Sequence, residues 1–227
     1  MQPAAEATVA ARTRHHLLSL APGLLYVPGY FDRDEQAALL DQLRGILADA
    51  PLFQPVMPKT GTPFSVRMSN CGPLGWVSDR NGYRYQPMHP VTARPWPTMP
   101  ALARRAWADL GDYPDPSDAC LINYYDRDAR MGLHQDRDEE GFAAPVVSLS
   151  LGDTCVFRYG STERRGPTKS LKLSSGDAIV LGGAARLAFH GVDRILGGSS
   201  TLLAEGGRFN LTLRRVAGEV LEGLDPR

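Results

Sequence analysis

The chain has 227 residues with 25 basic and 25 acidic side chains, so it is formally neutral. Neutrality excludes a protein that coats nucleic acid through bulk charge, and any contact with phosphates needs a local patch. With 43% hydrophobic and 22% charged residues it is no disordered chain, and a single large domain is expected.

Residues 1–20 read as a weakly ordered lead-in. The apolar run from Leu17 to Tyr30 is broken by Pro22, Gly23, Pro28 and Gly29, so neither a signal peptide nor a membrane span is expected. Asp34 to Asp49 carries Leu39, Leu40, Leu43, Ile46 and Leu47, the stripe of an amphipathic helix, with Asp32 or Asp34 as its cap and Pro51 as its stop. A second short helix fits Pro100 to Leu110, with Gly111 just past its end. Between the helices, residues 51–99 hold nine prolines and isolated aromatics. They predict a long irregular insert with one hairpin around Phe64–Asn70 and Tyr83–Gln86, of the kind that is often functional.

From residue 119 the texture changes to short strand-like runs: 119–125, 146–151, 155–159, 170–173, 178–181, 187–190 and 208–215. Closely spaced strands without helices between them, in a chain with 23 glycines and 18 prolines, predict an antiparallel barrel or sandwich. Cys71, Cys120 and Cys155 form no CxxC pair, which argues against a zinc ribbon or a disulfide framework and suits a reducing cytoplasm.

The chemistry concentrates in the β half. In Leu133-His134-Gln135-Asp136, the imidazole and carboxylate point to one side of an extended chain. His190 ends the run Leu187-Ala188-Phe189-His190. Two histidines and one carboxylate with open positions select non-haem Fe(II). Alone, HxD is weak and reads first as a surface histidine beside a solvated acidic stretch of Asp136, Asp138, Glu139 and Glu140. In the last strand Phe209, Leu211 and Leu213 form an apolar face, while Arg208, Asn210, Thr212 and Arg214 line the other. That polar face is either wet or a receptor for a dicarboxylate through guanidinium pairs. Asn123 and Tyr125 repeat the same spacing on another strand, as further ligand donors or as satisfied core groups.

These segments together are specific. Leu121-Ile122-Asn123-Tyr124-Tyr125, His134 to Asp138, Pro145 to Leu151, Gly176-Asp177, Gly182-Gly183 and Arg208 to Arg214 closely resemble the AlkB family. Upstream, Met68 to Gly72, Gly75-Trp76, Gly82 to Tyr85 and Pro95-Trp96-Pro97 resemble the bacterial members, so the likeness spans about 20–216. It departs at Tyr124, Phe209 and the loop 57–63, which touches lesion preference more than chemistry.

The resemblance implies a double-stranded β-helix (jelly-roll) core over 119–216, with helices and a nucleotide-recognition lid over 21–118 and a tail over 217–227. It implies Fe(II) held by His134, Asp136 and His190, with 2-oxoglutarate and O2 as co-substrates. Arg208 would take the distal carboxylate of 2-oxoglutarate and Arg214 would lie beside its chelating end. Asn123, Tyr125 and Asn210 would complete that pocket. Trp76, Tyr83, Tyr85, Asp138 and Arg164 would read a flipped base. From charge alone, the local basic stretch Arg158, Arg164, Arg165, Lys169 and Lys172 reads as phosphate contacts or as a solvated strand-loop face. The implied activity is oxidative removal of alkyl groups from N1-methyladenine or N3-methylcytosine in single- or double-stranded DNA, or RNA. It would release aldehyde, succinate and CO2 from a cytoplasmic monomer. Rival readings are an RNA demethylase, a protein or small-molecule hydroxylase of the same fold, and a non-catalytic nucleic-acid-binding module.

Overall fold

The computed structural model describes residues 16–217; most of the expected lead-in and nearly all of the tail lie outside them. Strands β1 (Leu18–Ala21) and β2 (Leu24–Val27) form an opening hairpin, followed by helix α1 (Arg33–Asp49). The insert contributes β3 (Arg67–Cys71), β4 (Gly75–Asp79) and β5 (Gly82–Gln86), and helix α2 (Ala101–Leu110) closes it. The remaining strands are β6 (Ala119–Tyr125), β7 (Met131–His134), β8 (Val146–Gly152) and β9 (Thr154–Tyr159). They continue through β10 (Lys169–Leu173), β11 (Ala178–Leu181), β12 (His190–Leu196) and β13 (Arg208–Arg214).

A seven-stranded sheet in the order β1-β2-β11-β8-β13-β6-β3 faces a four-stranded sheet in the order β10-β9-β12-β7, while β4 and β5 pair only with each other. All strand pairings are antiparallel. This is the double-stranded β-helix core expected, with two α-helices outside it among the described residues.

Period-two alternation sorts the side chains into layers. Phe209, Leu211 and Leu213 turn outward to meet Leu39, Leu43 and Trp107 of the helices. Met68, Leu121 and Ile179 turn inward to meet Phe157, Val192 and Ile195 of the smaller sheet. Burying one large aliphatic or aromatic side chain is worth roughly 1.5–3 kcal/mol, so these two layers hold the helices to the large sheet and the sheets to each other. Helix α1 starts where Asp32 caps it. Its carboxylate accepts from the Glu35 N–H at 2.8 Å, and Glu35 returns the bond to the Asp32 N–H at 3.2 Å.

Three expectations need correction. The insert hairpin is β4 with β5; the segment around Phe64–Asn70 instead supplies β3, which pairs with β6 at the edge of the large sheet. Residues 187–189 are not strand, so His190 opens a strand and does not end one. Strands β1 and β2 were hidden because Pro22-Gly23 is their two-residue turn, with Gly23 at φ +80°. No helix among the described residues is long and apolar enough to cross a membrane.

Candidate active site

Strand register builds the centre of the site. His134 at the end of β7 and His190 at the start of β12 are direct cross-strand partners, with ring centroids 4.6 Å apart. Close approach of these strands depends on Gly191. A Cβ there would lie 2.5 Å from the Met131 carbonyl oxygen and 2.8 Å from that of Gly132. Asp136 follows two residues after His134, and one ligand atom from each of the three lies within 4.8 Å of the others. The Nδ1–H of His134 donates to the Gly132 carbonyl and that of His190 to the Ala188 carbonyl, each at 2.9 Å. A carbonyl can only accept, so both Nδ1 atoms carry a proton, and both Nε2 atoms face Asp136, at 3.6 Å from His134 and 3.9 Å from His190.

Charge is tuned at the same point. Burial works to raise the Asp136 carboxyl, but Arg214, His134 and His190 around it hold it well below the usual carboxylate range. Burial, reinforced by the neighbouring His134, pushes His190 down to about 4. Burial also works to lower His134, but the Asp136 carboxylate outweighs it and the net shift is upward. Asp136 is thus an anion between two imidazoles, the better exposed of which leans on it most.

Behind the triad, between the two sheets, lies a cavity of about 60 Å³ lined by Asn123, Tyr125, Arg208, Asn210 and Arg214 among others. Register explains the grouping: Arg208 pairs with Tyr125, and Asn210 with Asn123, across β13 and β6. Arg208 is 1% exposed. Its guanidinium donates to Ser150 Oγ at 2.7 Å and to the carbonyls of Asp153 and Leu173, and its Nε has no partner. Among the described residues it has no carboxylate partner, and a buried cation with only neutral partners is costly. Arg214 differs: its Nη2 lies 2.8 Å from Asp136 and its Nε 3.2 Å from Glu139, while its Nη1 is unpartnered. Burial pushes the Tyr125 phenol upward, so it stays a hydrogen-bond donor facing the cavity.

In front of the triad a wider pocket of about 790 Å³ opens to the surface, lined by Trp76, Tyr83, Tyr85, Asp138 and Arg164 with Met68 and Leu121. The β4–β5 hairpin forms its lid. Trp76 stacks on Tyr83 with centroids 5.6 Å apart and planes at 18°. The Trp76 indole donates to Asp138 at 2.8 Å, and the Tyr85 hydroxyl donates to Glu139 at 2.8 Å. Since Trp76 and Tyr85 are cross-strand partners, the lid is pinned by two bonds to the turn that follows the ligand Asp136. All five residues expected to read a base therefore share this pocket, but Tyr85 is an anchor and its ring does not stack on Trp76.

Two residues of the site were not foreseen. Glu139, placed by the sequence in a solvated acidic run, is buried between Arg214 and Arg186. Arg186, itself 3% exposed, donates to the Asp136 carbonyl at 2.7 Å and to that of Ala144 at 2.8 Å. The available signal was an arginine set among Ala184, Ala185, Leu187 and Ala188, where burial demands an anionic partner.

A family model described as 2OG-Fe(II) oxygenase superfamily matches residues 23–214. The chain belongs to the 2OG-Fe(II) oxygenase superfamily. Within it, the chain is 53% identical over 198 residues to the alpha-ketoglutarate-dependent dioxygenase AlkB homolog of Caulobacter vibrioides, covering 87% of this chain and 90% of that protein. It is 43% identical to alpha-ketoglutarate-dependent dioxygenase AlkB of Escherichia coli, over 82% of this chain and 86% of that one. Among solved structures, "The structure of OsALKBH1" superposes with a TM-score of 0.74 at 28% identity, covering 88% of this chain and all of the other. The protein is accordingly an Fe(II)- and 2-oxoglutarate-dependent dioxygenase. The residues present fit those groups. A two-histidine, one-carboxylate set with open positions suits Fe(II), and a buried arginine lacking an anion suits a dicarboxylate.

Proposed function

We propose that this oxygenase removes alkyl groups from ring nitrogens of nucleic-acid bases, with alkylated DNA of the N1-methyladenine and N3-methylcytosine type as substrate. The observation that carries this reading is the outer pocket. An aromatic plate, Trp76, is held by Asp138 at the mouth of a cavity whose far wall includes His134 and Asp136. A base must leave its stack to reach a buried metal, and it is then read by stacking and by edge hydrogen bonds. Trp76 offers the face, Asp138 an acceptor for an exocyclic amine, and Arg164 a cation at the rim. A cavity for a small-molecule substrate needs no such plate.

In this reading His134, Asp136 and His190 hold Fe(II), and the bound metal supplies oxygen activation coupled to decarboxylation of 2-oxoglutarate to succinate. Arg208 grips the distal carboxylate and Arg214 presents its unpartnered Nη1 toward the chelating end. Asn123, Tyr125 and Asn210 fix the body of the co-substrate between them. The sheets exclude water behind the triad, and the lid excludes it in front. The hydroxylated alkyl carbon leaves as aldehyde and restores the base. We place the enzyme in the cytoplasm as a monomer, where its three buried thiols stay reduced.

The test is paired release of formaldehyde and succinate from an N1-methyladenine oligodeoxynucleotide, with and without Fe(II), against an RNA oligomer of the same sequence. A higher yield on RNA would move the substrate class to RNA, and equal yields would widen it to both polymers. Succinate that forms without formaldehyde on either polymer would overturn a dealkylase altogether.

A further inference from the structure

The smaller sheet has two faces with opposite character, and only the inner one is used above. Phe157 and His190 point inward to the cavity. The alternation of side chains along β9 then turns Val156 and Arg158 outward. Cross-strand partners share a face, so Lys172 and Arg194, both paired with Val156, and Ser170, paired with Arg158, stand beside them. The irregularity between Val192 and Arg194 is what brings Arg194 to that face. Lys172 and Arg194 are exposed, and neither has an ion-pair partner among the described residues. Arg158 is 39% exposed and held by Thr168 at 3.0 Å, with Asp193, the acid on this face, 3.7 Å away. In a chain of zero net charge this is a local concentration of cations.

The face also connects to the substrate mouth. A groove of about 120 Å³ between Arg130 and Arg158 runs along β7 and shares Met131, Gly132 and Leu133 with the outer pocket. At the crossing, Gly132 is exposed, and a Cβ there would meet nothing within 4 Å, so no side chain of residue 132 stands between the two openings. The structure thereby divides the basic stretch read from the sequence. Arg164 lines the mouth, and Lys169 pairs with the inward Tyr159. Arg158 and Lys172 join Arg194 on the outer face.

We propose that Arg158, Lys172 and Arg194, with the Arg130 groove, form a site for the phosphodiester backbone of the substrate strand on one side of the extruded base. The strand crosses β7 at Gly132. This rests on the nucleic-acid reading above and specifies where the polymer runs. Charge complementarity and continuity with the mouth favour a nucleic-acid backbone over other anions. Such contacts add affinity without reading sequence, and each phosphate neutralised on a single strand contributes about 0.7 to the slope of log K against log salt.

The test uses full-length protein with 2-oxoglutarate under anaerobic conditions, and fluorescence anisotropy on single-stranded DNA carrying one N1-methyladenine, as a trimer and as a 15-mer. In the combined variant Arg158→Gln, Lys172→Gln, Arg194→Gln, affinity for the 15-mer should fall about tenfold at low salt and the salt slope should shrink by roughly 1.5–2. Trimer affinity, 2-oxoglutarate affinity and melting temperature should stay unchanged. Arg158→Gln alone should show a smaller change of the same kind. Equal losses on trimer and 15-mer, or an unaltered salt slope, would overturn the proposal. So would wild-type binding to phosphatidylserine vesicles with no length dependence on DNA, which would assign the face to a lipid surface. A trimer that fails to bind wild type would count against the dealkylase reading itself, a separate outcome.

Discussion

The two ends of β13 hold one arginine each, and the pair behave oppositely. At one end Arg208 is a buried cation with neutral partners only, an electrostatic debt left open inside the protein. At the other, Arg214 sits in a closed account of two arginines, Arg186 and Arg214, and two carboxylates, Asp136 and Glu139. A charge left unbalanced in a core marks where a ligand of opposite sign belongs, whereas a balanced set marks structure that holds something else in place. The same residue type on one strand thus serves the ligand alone at one end, and at the other chiefly holds Asp136 and Glu139, with only Nη1 left over for the ligand.

The largest effect expected is on the metal. His134→Ala or Asp136→Ala should abolish succinate formation and strongly weaken Fe(II) binding, as measured by anaerobic titration. Near-normal iron affinity in either variant would remove the triad assignment.

The comparison of arginines is sharpened next. Arg208→Met should raise the 2-oxoglutarate requirement by about two orders of magnitude or more, the consequence of losing roughly 3–5 kcal/mol when one partner of a buried pair is removed. The same substitution should leave the ligand-free protein as stable as before, or more so, and erase the rise in melting temperature that 2-oxoglutarate gives the wild type. Arg214→Met should instead lower ligand-free stability by about 3–5 kcal/mol, since Asp136 and Glu139 lose their shared cation. Thermal melts of both variants with and without 2-oxoglutarate decide the matter, and matching losses would erase the distinction drawn here.

Smaller effects belong to the lid. Trp76→Ala should cost about 1–3 kcal/mol of binding to methylated oligonucleotide, the worth of one base–aromatic stack, with 2-oxoglutarate affinity preserved. Should both affinities fall together, the hairpin is packing and not recognition. Tyr85→Phe removes one bond to the Glu139 carboxylate and should cost about 1.5–3 kcal/mol, read as faster hydrogen exchange across β4 and β5. An exchange pattern identical to wild type would show that Trp76 and Asp138 pin the lid unaided.

Much of this was legible beforehand, for a physical reason: period-two spacing is local. His134 with Asp136 and the alternating faces of 208–214 need only the extended chain to be read. The pairing of His190 with His134 is not local, because it depends on how β12 registers against β7. Composition hides β7 itself, where Gly132 breaks a four-residue strand. Only the family resemblance supplied that long-range step. Glu139 escaped because a run of acids looks solvated until a buried arginine is placed against it. Pro22-Gly23 looks like a break in the sequence, although a turn of that kind joins two strands as readily as it ends one.

The bare backbone at Gly191 has a consequence for how this enzyme tolerates change. The gap between the two imidazoles is gauged by main chain resting on main chain, with the Met131 and Gly132 carbonyls as the stop. Such a stop does not depend on side-chain volume, so trimming Ile195, which pairs with Cys155 on β9, should loosen the sandwich and leave the stop in place. A single methyl group at residue 191 does the reverse, prying β7 from β12 while the rest of the core stays filled. The spacing of the two histidines therefore rests on a position that has no side chain to inspect.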